Sequence, residues 1–102
     1  MTLGEWVARR TPPVPAGFRA CVKLDDPQRD AATPEARVEG LLGEARAALA
    51  RARAHHASDR DGAFDLLAAD AFATWAAEAA LEADDPIGAL AALASRLSDP
   101  AR

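Results

Sequence analysis

With 102 residues, half of them hydrophobic, the chain has room for one domain, residues 1–102, built around a thin core. Its net charge of −4 conceals +2 over residues 1–60 and −6 over residues 61–102, with no Lys or Arg between Arg60 and Arg96, whereas a nucleic-acid binder needs a concentrated basic face. Cys21 is the only cysteine, which excludes an intrachain disulfide and a cysteine metal cluster and suits a cytoplasmic location.

At the N-terminus, Thr2 and Glu5 have capping-box spacing, and Leu3, Trp6 and Val7 cluster on one side of the short helix they start. Pro12 and Pro13 end that helix by Thr11. No apolar run follows a basic region in MTLGEWVARRTPPVP, so no secretory signal is expected. Pro15 is placed for the first turn of a second short helix ending near Lys23 or Leu24, with Phe18, Cys21 and Val22 facing inward. Residues 25–34, DDPQRDAATP, read as the main loop, a connector.

Thr33, Pro34 and Glu35 supply an N-cap, a first-turn proline and an acid near the positive helix end. The following helix, of about six turns, carries Val38, Leu41, Leu42, Ala45, Leu49, Ala52 and His56 on its inner face. Glu39 and Glu44 are expected to point away from that stripe. Gly40 and Gly43 read as places of close approach to another backbone rather than as a phosphate loop.

Ser58 and Asp61 start the longest periodic element, which runs to about Asp84. Phe64, Leu67, Ala68, Ala71, Phe72, Trp75 and Ala79 form one face, and Leu66, Ala69, Ala73, Ala77 and Leu81 widen it, so this helix is expected to be central. Asp65, Asp70, Glu78 and Glu82 interrupt it too often for a membrane span. Asp85 and Pro86 open a last helix with Ile87, Leu90, Leu93, Ala94 and Leu97 as its buried side. The fold class is therefore all-α: a small bundle of about five helices, with two short N-terminal helices, a long antiparallel hairpin turning near residues 57–60, and a C-terminal helix.

Few residues suggest chemistry. His55 and His56 are adjacent, about 100° apart on a helix, so they cannot share a metal without help from Asp59, Asp61 or Asp65. The plainer reading has His56 packing or capping at the helix end while His55 is solvated. Asp70 and Glu78 lie about 80° apart on one helix, a pairing reminiscent of di-metal carboxylate bundles, but the ExxH ligands those bundles need are missing. Glu78, at the edge of the apolar face, must reach water or pair with a base such as Arg19, Arg46 or Arg53, or else specify register at a subunit interface. Cys21 reads as a small buried hydrophobe, and no Walker loop, GxGxxG or GxSxG pattern occurs.

Two classes of function follow. The first is a non-enzymatic cytoplasmic interaction or regulatory module, self-associating as a dimer, because an alanine-rich helix buries little area per residue and gains from a partner. The second is a small ligand-binding protein or acid-base enzyme with a pocket lined by His56, Phe72, Trp75 and Glu78, near Asp70. No cofactor is implied, a protein partner fits better than nucleic acid, and no membrane association is expected. The layout resembles many bacterial proteins of GC-rich coding sequence, in composition alone.

Overall fold

Four helices occur among the described residues 1–10, 22–55 and 60–98 of the computed structural model: α1 (Leu3–Ala8), α2 (Pro34–Arg53), α3 (Arg60–Ala80) and α4 (Pro86–Ser98). The second short helix expected from Pro15 falls on residues 11–21, outside the described residues, as do His56 and Ser58. Lys23 and Leu24 are not helical, and Val22 is buried. The Cα radius of gyration, 13.5 Å, is that of a compact bundle, close to the ~13 Å of a folded chain of this length. No helix among the described residues is long and apolar enough to cross a membrane.

The first turn of α1 shows why this short helix holds. A helix leaves its first four N–H groups without internal partners, and here each finds one. Leu3 N–H donates to Arg29 O and Gly4 N–H to Pro27 O, both at 2.9 Å. Glu5 N–H donates to Thr2 Oγ1 at 3.2 Å, and Glu5 Oε1 accepts the Thr2 N–H, completing the capping box read from the sequence. The segment between Val22 and Thr33 is thus more than a connector. It caps α1, and an isolated antiparallel bridge between Thr2 and Asp30 fixes the two together.

The long helices α2 and α3 are antiparallel, as ion pairs at both ends show: Arg37 meets Glu82 at 3.2 Å, and Arg51 meets Asp65 at 3.3 Å. Thr33 caps α2 through the Ala36 N–H, with Pro34 in the first turn. Leu41, Leu42, Ala45 and Ala48 of α2 face Ala68, Ala69, Phe72, Ala76 and Ala79 of α3. The inner face of α3 therefore follows its alanines around a fully buried Phe72, and Leu66 and Leu67 stand 55% and 52% exposed. Leu67 thus stands off the inner face expected for it. Alanines let α2 come close enough for its own leucines to fill the seam, which leaves no room for a second row of leucines from α3.

Two further expectations change. Glu44 points inward rather than away, at 5% exposure, and Gly43 has open space where a Cβ would stand. Gly40 does mark a close approach, though to a side chain: an added Cβ would lie 2.9 Å from Leu3 Cδ2 and 3.1 Å from Arg29 Cδ. Gly62 similarly admits His55, whose Cβ would be 2.8 Å away.

α3 ends at Ala80 instead of near Asp84; Glu82 and Ala83 donate to the carbonyls of Ala79 and Ala80, a tightened final turn that leads into a corner. Asp85 then caps α4, accepting the Gly88 N–H at 3.1 Å. Of the stripe expected to be buried on α4, only Leu93 is; Ile87 is 82% exposed and Leu97 is also exposed. The first turn of α4, directly after the corner, leaves Ile87 largely in solvent.

Candidate functional site

The five residues singled out from sequence are distributed over separate places. Phe72 and Trp75 touch edge to face, with ring centroids 5.9 Å apart at 63°. Phe72 is fully enclosed, and Trp75 is half-buried against the core. Glu78 lies in a different cluster, Asp70 faces a groove, and His56 is outside the described residues.

The Glu78 cluster joins three parts of the chain. Arg10 Nη1 lies 3.6 Å from Glu78 Oε2 and 3.9 Å from Glu82 Oε1, while Arg37 reaches Glu82 and donates through Nε to Ala31 O at 2.8 Å. The Arg10 guanidinium also sits 3.9 Å above the Trp6 ring. Among the described residues the partner of Glu78 is thus Arg10, not Arg46 or Arg53, and Arg19 lies outside them. The arrangement is a part-exposed ion-pair network fastening the chain after α1 to the end of α3.

At the other end of the hairpin, His55 Nε2 stands 3.5 Å from Asp65 Oδ2, so His55 is half-buried and in contact rather than solvated. Arg51 links Asp65 to Asp25 at 3.4 Å. Glu44 accepts the N–H groups of Asp25 and Asp26 between 3.0 and 3.1 Å. Among the described residues no group of three His, Cys, Asp or Glu side chains is placed to hold a metal ion.

An open groove of about 850 Å³ lies between α2, α3 and the C-terminal end of α4. Leu49, Leu66, Leu67 and Leu97 make its walls apolar, and Arg46, Arg53, Arg96 and Asp70 stand along it. Its α4 lip is tied down by polar contacts. Arg46 Nη2 donates to Arg96 O at 3.3 Å, and Arg96 forms a two-point contact with Glu39, one arm of which, Nη2 to Oε2, measures 3.1 Å. The hydrogen bond from Arg96 holds the Glu39 carboxyl below its ordinary value against an opposing effect of desolvation.

Glu44, Arg10 and the leucine-walled groove are the features sequence reasoning missed. Glu44 had a signal: with Leu41, Ala45 and Ala48 it falls on one helical face by i, i+3, i+4 and i+7 spacing. Compared with known proteins, the chain matches no family model, no curated protein and no solved structure.

Proposed function

We propose that this chain is a non-enzymatic cytoplasmic interaction module that pairs with a second copy of itself through the apolar surface beside α3 and α4. The observation that carries the reading is the groove whose walls include Leu66, Leu67 and Leu97, all exposed. Covering the exposed half of one such side chain is worth about 1 kcal/mol, and several together are appreciable beside the ~5–15 kcal/mol net stability of a small domain. Three of the acidic groups support the same reading, because each is taken up in structural contacts: Glu44 with the loop, Glu78 with Arg10, Asp65 with Arg51. Native mass spectrometry of untagged protein tests it. A concentration-dependent dimer that Leu67→Asp abolishes is the expected result; a monomer throughout would reject it.

A second reading, capture of a small apolar ligand, is favoured by the groove's volume, which falls within the ~300–1,000 Å³ of ligand sites. It moves the pocket away from Trp75 and Glu78 to Leu49, Leu66 and Leu67, with Asp70 as the one retained candidate. Extra mass retained on a monomer in the same spectra would identify it.

A further inference from the structure

The groove has a counterpart at the other end of α4. Where α3 turns into α4, Leu81 is 58% exposed and Ile87 is the most exposed large hydrophobic side chain, so the corner presents an apolar knob. Asp84 and Asp85 flank it, within a stretch that contains no Lys or Arg. The groove carries the opposite sign. Arg96 is paired with Glu39, on which Arg46 also acts while donating to the Arg96 carbonyl, and Arg53 is exposed, so among the described residues three arginines stand against Glu39 and Asp70 and leave a positive excess for an incoming acid.

From these two surfaces we infer that the occupant of the groove is the α3–α4 corner of a second copy, with Ile87 seated against Leu66 and Leu67 and its flanking aspartates meeting Arg46 and Arg53. This rests on the self-association proposed above and names the surfaces that make it. A corner cannot fill the groove of its own chain, because α4, 13 residues and ~20 Å long, holds the two apart. Nor do two corners suit each other, since both are acidic. A corner and a groove match in apolar character and in charge, and two such contacts about a twofold axis close a pair.

The test is complementation between two full-length variants at exposed positions, each checked for an unchanged helical circular dichroism spectrum. Ile87→Asp spoils the corner and leaves the groove intact; Leu67→Asp does the reverse. Each alone should self-associate at least about tenfold more weakly than the parent chain. Mixed in equal amounts they should associate at least about tenfold more tightly than either alone, as 1:1 pairs in native mass spectra, because one intact corner then meets one intact groove. Asp84→Lys paired with Arg53→Glu, also exposed, repeats the logic with charge and should show the same recovery on mixing. Unaltered dimerisation of Ile87→Asp, or no recovery in either mixture, overturns the inference while leaving self-association standing. A parent chain that is monomeric at every concentration overturns both.

Discussion

The Glu44 carboxylate takes the backbone N–H of Asp25 with both of its oxygens, at 3.0 and 3.1 Å, and that of Asp26 with one. A buried anion on α2 thereby sets the start of the loop that caps α1, so a single side chain transmits the position of the hairpin to the N-terminal helix. Hydrogen bonds to a charged group are among the stronger ones, and losing the acceptor strands the donors. Glu44→Ala is expected to lose about 1–3 kcal/mol in urea unfolding, and Glu44→Gln, which keeps one acceptor oxygen, a smaller amount.

The two glycines of α2 should respond to alanine with opposite signs. Gly43 faces open space, so Gly43→Ala should gain up to about 1 kcal/mol from helix propensity and reduced freedom of the unfolded chain. At Gly40 the same methyl would press on Leu3, which is fully buried and has little room to yield. Gly40→Ala should instead cost about 1–3 kcal/mol. Melting temperatures of the pair decide between this packing and one in which both glycines are incidental.

Truncations on α3 distinguish the part of its expected face that is buried, Phe72 with Ala68 and Ala79, from the leucines that stand exposed. Phe72→Ala should destabilise by about 3–5 kcal/mol, a loss this small chain is not expected to survive at physiological temperature. Leu66→Ala, at an exposed position, should change the stability of the isolated chain by less than about 0.5 kcal/mol in dilute solution. Similar losses at both positions would contradict the observed face.

Acid should loosen α4 before the hairpin. The Arg96 hydrogen bond holds the Glu39 carboxyl below its ordinary 4.5, so this group titrates lower when folded than when unfolded. Its contribution is therefore fully present above pH 4.5 and is lost as pH falls through the folded value. The pair is half exposed, and salt should weaken it too. Protection of α4 amides, measured as exchange relative to the intrinsic rate at each pH, should fall over that acidic window in the parent chain. In Glu39→Gln protection should already be lower at neutral pH and show no such step.

Local signals were legible in the sequence and long-range ones were not. Thr2 with Glu5, and Thr33 with Pro34, announce helix starts because capping depends on residues within one turn, and both caps form as read. Periodicity places Ala68, Phe72 and Ala79 of α3 correctly, but apolar residues surround so much of that helix that it cannot choose between Leu67 and Ala69. Closeness of approach to α2 makes the choice, and that is a property of two helices. The pairing of Glu78 with Arg10 spans most of the chain, so no local pattern contains it. Glu44 fell on the inner face by spacing, but a carboxylate is expected inside only when its donors are known, and those lie in the loop before α2.

Sedimentation velocity of the untagged chain across a hundredfold concentration range, run beside Leu67→Asp, tests self-association through the groove most directly. The account predicts a dimer that dissociates on dilution and a variant that remains monomeric with unchanged helix content. A parent chain sedimenting as a monomer at the highest concentration, or a variant that dimerises equally well, would contradict it.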